Sequence, residues 1–161
     1  MGSYDLITLG DIKLYACDMV LSPNRWKSFA CSAPLSWSIV KFDKANINHI
    51  PKDEQGVYTF VVKPDIANHP HCSYLMYVGK TERQGFRERF KQYFSEAARP
   101  KGRPAIHFMV SQWIDYLWFC YAPVNDIKAI SSIEDSLISA YLPPVNKEYP
   151  GKIGKAVQAW L

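Results

Sequence analysis

Two tyrosines on strand-like segments, arginines along one helix and a carboxylate on the apolar face of another are the side chains best suited to do chemistry. Tyr77 lies in a segment that alternates like a strand, with Leu75 and Tyr77 to one side and Tyr74, Met76 and Val78 to the other. Gly79 ends that pattern, and Arg83-Gln84-Gly85 marks a turn. Phe86, Phe90, Tyr93 and Phe94 then recur at the spacing of one helix face, with Arg87 and Arg89 bordering it from opposite sides. Upstream, Gly56–Val62 reads as a second strand and carries Tyr58. Asp126–Leu142 reads as a helix whose stripe is Ile127, Ile130, Leu137, Ile138 and Tyr141. Glu134 falls inside that stripe and Asp135 well off it. A carboxylate there is costly unless it is paired or bound to a metal. The alternative is a capping box over Ser131–Glu134, which requires the helix to begin at Ser131 instead of Asp126.

Charge points the same way. The net charge is +4, but Lys80, Arg83, Arg87, Arg89, Lys91, Arg99, Lys101 and Arg103 face only Glu82, Glu88 and Glu96 between residues 80 and 103. That stretch carries +5, so the remainder sums to −1. Cations interleaved with aromatics suit a phosphate backbone.

The tripeptides Gly56-Val57-Tyr58 and Tyr77-Val78-Gly79 resemble the signature of the GIY-YIG nuclease family. The resemblance extends to an Arg-Phe pair on the following helix, to Glu134 on a later helix and to Pro143-Pro144-Val145-Asn146 after it. It covers roughly Gly56 to Lys147 and leaves the first 55 residues aside. What it implies is a divalent-metal-dependent DNA endonuclease, a phosphodiester hydrolase. Glu134 is then the ligand of one Mg2+ or Mn2+ ion, and Arg89 the cation on the scissile phosphate. A tyrosine from the pair Tyr58 and Tyr77 positions or deprotonates the water, and Asn146 orients groups around phosphate and metal. Lys80 and Arg87 are supporting residues. Arg87 competes with Arg89 for the phosphate role, because the common family spacing of ten residues from Tyr77 selects it. The helix pattern Arg-Phe-Lys-Gln-Tyr selects Arg89.

A tyrosine base has to overcome a reference pKa near 10, which for a phenolate at neutral pH must drop by about three pH units, roughly 4 kcal/mol. Lys80, Arg89 and a metal are the expected means. Two other functions fit the same residues: a nucleic-acid-binding module without turnover, and an RNA-directed nuclease subunit. Asn146 also fits an ordinary turn.

The elements that must position these groups imply an α+β fold, a small mainly antiparallel sheet flanked by helices. At 161 residues, 48% of them hydrophobic and 21% charged, the chain is expected to form one domain with a real core. Residues 1–55 read as an N-terminal extension packed on a nuclease core over residues 56–147. Within the extension, Tyr4–Leu9 and Leu35–Phe42 are possible strands, and Trp26, Phe29 and Trp37 are expected to pack as an outer layer on the core, the alternative being a nucleic-acid or partner surface. Lys63–Ser73 is a long hairpin connection, Ala105–Ile114 a helix and Tyr116–Tyr121 a buried strand. Lys152–Leu161 is a short helix docking through Val157 and Trp160. Cys17, Cys31, Cys72 and Cys120 lack the paired spacing of a zinc site and read as free thiols. His69-Pro70-His71-Cys72 reads as a solvated hairpin tip. No apolar run reaches the roughly 18 residues of a membrane span, and no leader pattern opens the chain, so the expected location is cytoplasmic. A homodimer would let two sites cut two strands.

Overall fold

The computed structural model describes residues 5–9, 12–99, 102–151, 154, 155 and 157. Its centre is a four-stranded antiparallel sheet in the order β3-β6-β4-β5. The strands are β3 (Ser38–Lys41), β4 (Gly56–Val62), β5 (Tyr74–Thr81) and β6 (Leu117–Pro123). A separate hairpin, β1 (Asp5–Leu9) with β2 (Ile12–Ala16), precedes them. Helices are α1 (Pro23–Ser28), α2 (Phe86–Ala97), α3 (Pro104–Gln112) and α4 (Ile127–Tyr141). The architecture is α+β.

β4 and β6 are central and read as near-continuous apolar runs because both faces of the sheet are covered. Alternation along β4 sends Tyr58 and Phe60 to one face, where they join Phe86, Phe90 and Tyr93 of α2 and Ile106 and Met109 of α3. Val57 points to the other face and meets Ile130, Ile133, Leu137 and Ile138 of α4. At β5 the expected strict alternation fails. Phe60 pairs with Tyr77 and Val61 with Leu75, so Met76 is an extra residue. The bulge puts Met76 in the core with Tyr58, while Val78 lies on the α4 face.

The expected boundary at Gly56 cuts through the sheet. β3 pairs with β6 from Ser38↔Tyr121 to Lys41↔Trp118, and Phe42 and Ile50 are buried in the core. The later part of the N-terminal stretch is therefore a structural component of the same body. Trp26, Phe29 and Trp37, expected to pack on the core, are 47%, 39% and 42% exposed. Trp26 instead spans the surface between α1 and α4, its indole N–H donating to the Ala140 carbonyl at 2.8 Å.

α4 starts at Ile127, and the Asp126 carboxylate accepts from the Lys128 amide at 3.0 Å. This start removes the capping box at Ser131. The buried stripe is Ile130, Ile133, Leu137, Ile138 and Ala140, whereas Ile127 and Tyr141, both expected in it, are about half exposed. Ile127 and Tyr141 lie to the flank of a buried face that centres on Ile130, Ile133 and Leu137. Leu142 then adopts the left-handed region at φ 49° and turns the chain into Pro143–Asn146. Val157 is buried, and Trp160 lies outside the described residues.

Candidate active site

Gly79 explains how the two tripeptides meet. It pairs across the strands with Tyr58, whose ring passes over it so closely that a Cβ there would lie 2.6 Å from the phenol carbon and hydroxyl. Glycine at 79 is what lets the Tyr58 phenol turn under β5 towards α2. There its hydroxyl meets that of Tyr93 at 2.8 Å and accepts from Arg89 Nε at 2.8 Å. Arg89 Nη2 reaches Tyr93 Oη at 3.4 Å, and Nη1 donates to Gln92 Oε1 at 2.9 Å. One edge of the guanidinium thus grips both phenol oxygens. Of its five N–H groups, three are used in these contacts and two are left for a ligand.

The environment of Tyr58 opposes the expectation that neighbouring cations make it a phenolate. Burial pushes its hydroxyl well above the ordinary phenol value; Tyr77 adds to this, and Arg89 offsets only part of it. Tyr93 is raised for the same first reason. Both are fully buried and stay neutral. Their hydroxyls hold Arg89 and have no access to water. Tyr77 differs: it is half-buried, its ring 6.3 Å from that of Tyr58, and it lines an open cleft.

That cleft has a volume of about 490 Å³ and is walled by Tyr77, Arg103, Glu134, Asp135 and Asn146 among others. Glu134, its side chain 15% exposed, projects from α4 towards Lys80 of β5 at 3.3 Å. Lys80 also faces Glu82 at 3.5 Å and donates to Ser131 Oγ. Burial raises the Glu134 carboxyl above its usual range, and Lys80 offsets this only in part. Burial also lowers Lys80, but Glu134 and Glu82 more than compensate and its value is raised. On the other side of Lys80 lies a second hollow of about 470 Å³, lined by Lys80, Arg83, Gln84 and Arg89 among others. Lys80 therefore joins the two, lining the Arg89 hollow and pairing with Glu134 of the cleft, while Tyr77 lines the cleft itself.

Asn146 lines the cleft, but both halves of its amide are committed to the protein. Its Oδ1 accepts from the Val78 amide and its Nδ2 donates to the Val78 carbonyl, each at 2.9 Å. Val145 adds a bond to the Met76 carbonyl at 3.0 Å. Asn146 thus closes the outer edge of β5 and fixes the strand that carries Tyr77, and the second N–H of its Nδ2 is not used in these two bonds.

The two arginines separate cleanly. Arg87 donates to the Ile50 and Asn48 carbonyls at 2.8 and 3.2 Å, tying α2 to the N-terminal stretch away from the tyrosines. Arg89 is the one held among them. Of the other cations, Arg83, Lys91 and Arg99 are exposed, and Lys101 lies outside the described residues. Arg103 pairs with Glu96, sits 5.7 Å from the centre of the Tyr93 ring and lines the cleft. His107, beside this cation, is bound through Nδ1 to the Glu96 carbonyl at 2.9 Å.

Three participants are absent from the sequence reading: Tyr93, Gln92 and Gln84. Tyr93 was assigned only to the apolar stripe of α2. Its hydroxyl among Phe86, Phe90 and Phe94 is the signal, because a buried phenol needs a polar partner.

Among the described residues, no three His, Cys, Asp or Glu side chains are grouped to hold a metal ion. Mg2+ keeps several waters and commonly takes one or two carboxylates plus substrate phosphate. The Glu134 carboxylate at the wall of an open cleft fits that mode and not an all-protein cage. The four cysteines are free. Among the described residues no helix is long and apolar enough to cross a membrane. Comparison with protein-family models, curated proteins and solved structures finds no match to this chain.

Proposed function

We propose that this chain is a GIY-YIG-type nuclease, a divalent-metal-dependent endonuclease that hydrolyses phosphodiester bonds in DNA. The observation that carries the reading is a cleft that brings Tyr77 and a partly buried carboxylate, Glu134, together, joined through Lys80 to the hollow of an internally braced cation, Arg89. Phosphodiester cleavage needs a positioned water, relief of charge on the phosphoryl oxygens and stabilisation of the leaving oxygen. Arg89 offers its two remaining N–H groups to the phosphate from a fixed position, so little reorganisation is required when charge develops. Tyr77, the one of the two strand tyrosines that reaches the cleft, holds the attacking water. Tyr58 and Tyr93 hold Arg89. Glu134 binds Mg2+ or Mn2+, which when bound supplies Lewis-acid stabilisation of phosphate and leaving-group charge. Lys80 keeps the carboxylate directed at the cleft. Arg83, Lys91 and Arg99 contribute charge to the duplex backbone.

The test is single-turnover cleavage of supercoiled plasmid with Mg2+ or Mn2+, with and without chelator. Nicking or linearisation that chelator abolishes is the expected result. Binding to DNA and RNA with no cleavage of either leaves a binding module, and cleavage of RNA alone makes the activity RNA-directed.

A further inference from the structure

The guanidinium of Arg89 has one arm that the tyrosines do not hold, and this arm is braced by two glutamines. Gln92 Oε1 accepts from Arg89 Nη1 at 2.9 Å and from Gln84 Nε2 at 3.0 Å, while Gln92 Nε2 donates back to Gln84 Oε1 at 2.7 Å. The arginine, which can only donate, decides which end of Gln92 faces it, and the reciprocal amide pair holds Gln92 in place. A flipped Gln92 would present its NH2 group to Arg89 Nη1, donor against donor. Gln84 is itself pinned, since its backbone carbonyl accepts from Thr81 Oγ1, and Thr81 is buried at the end of β5. A chain of contacts thus runs from the sheet through the turn at residues 82–85 to the cation.

We propose that Gln92, oriented by Gln84, is a positioning residue that fixes the Arg89 fork towards the phosphate, an inference that rests on the nuclease reading above. The chemistry of the pair favours this role over packing. Both side chains are partly exposed, so neither fills the core. Gln92 is a neutral acceptor, so it orients Arg89 without neutralising the charge that the phosphate needs. Glu82, on the wall of the same hollow, is the carboxylate that a released guanidinium would turn to. Such a pair would both move the fork and cancel its charge.

The experiment compares the parent with Q92M, Q84M and R89A in single-turnover plasmid cleavage with Mg2+, alongside DNA affinity and thermal midpoint. Methionine keeps the length of the side chain and removes the amide. A displacement on the order of 1 Å at a reacting geometry costs up to about a hundredfold in rate. The expected result is a rate loss of about ten- to a hundredfold in Q92M, a smaller loss in Q84M, and DNA affinity within about twofold of the parent. In the R89A background, Q92M adds nothing further to the rate loss. Parent-like cleavage by Q92M together with slow cleavage by R89A overturns the positioning role and leaves the function reading standing. If R89A cleaves like the parent, the function reading loses its cation and this inference falls with it. A further rate loss from Q92M on top of R89A also overturns the proposal, because it reveals a general packing effect.

Discussion

Glu134→Gln should separate activity from stability and move them in opposite directions. The carboxylate is only 15% exposed, and its one paired cation among the described residues is Lys80 at 3.3 Å, itself shared with Glu82 and Ser131. Burial outweighs Lys80 in setting its proton affinity, so charge at 134 is a net cost to the folded state. Glutamine keeps the shape and removes that cost, while Lys80 keeps Glu82 and Ser131. The variant should therefore be as stable as the parent or up to about 1 kcal/mol more stable. In a domain of this size that is a rise of about 2–4 °C in thermal midpoint. The pH dependence has a definite sign. A carboxyl whose folded pKa is raised makes the parent lose stability as pH climbs from about 4.3 through that folded value. The advantage of E134Q should thus be larger at pH 7 than at pH 4. Metal reverses the order: at ten times its dissociation constant, Mg2+ stabilises the parent by about 1.4 kcal/mol and leaves E134Q unmoved. Differential scanning at two pH values, with and without Mg2+, measures all of this beside plasmid cleavage. Full metal-dependent cleavage by E134Q would refute the ligand assignment. Destabilisation by several kcal/mol would refute the burial argument.

Tyr77→Phe should fold normally and lose several orders of magnitude in cleavage rate. Tyr58→Phe should lose rate as well, and should cost about 2 kcal/mol because Arg89 Nε forfeits its buried acceptor; parent-like cleavage by both would make the tyrosines packing residues only. Arg89→Ala should slow single-turnover chemistry far more than it weakens DNA binding, whereas Arg87→Ala should lower stability through lost ties to Ile50 and Asn48 with chemistry intact; the reverse pattern sinks the assignment. Removing Arg83, Lys91 and Arg99 together should flatten the salt dependence of DNA affinity, and an unchanged slope would take these cations off the duplex path. Above pH of about 10 the parent should lose stability, because Tyr58 and Tyr93 ionise in the unfolded chain before the folded one; alkaline unfolding of Y58F that matches the parent would contradict this.

The features that local pattern encodes were legible in the sequence. Val57–Val62 and Leu117–Tyr121 are apolar runs of strand length, whereas the phase of α2 left Arg87 and Arg89 on opposite flanks of its stripe, and only the Arg-Phe-Lys-Gln-Tyr resemblance favoured Arg89. What depends on where an element sits against its neighbours was not. β3 falls within Leu35–Phe42, read as a strand, but its place in the central sheet was hidden, because its partner is a strand far along the chain. Ile127 and Tyr141 have the right period for the core but lie to the flank of a face centred on Ile130, Ile133 and Leu137, which only the packed sheet defines. The Asn146 amide looked free because its partner is the backbone of Val78, 68 residues away, and backbone groups are invisible to residue identity. Tyr93 was hidden by its ring, which packs as phenylalanine would, while its hydroxyl joins the polar cluster.

The strand order has a consequence for how the protein is made. Lys41 pairs with Trp118, and β6 lies between β3 and β4, so the last strand to be synthesised is the one that joins the first to the rest. The β4–β5 hairpin can close on its own soon after it leaves the ribosome. β3 has no such neighbour, and 77 residues separate it from its partner position. At synthesis rates of about 5–20 residues per second, β3 waits on the order of 4–15 s with its backbone unpaired. Over that interval the nascent chain also presents one uncovered side of β4, the side β6 will occupy. A holding chaperone therefore has a defined window and two defined edges to protect, and the window closes when Leu117–Pro123 emerges.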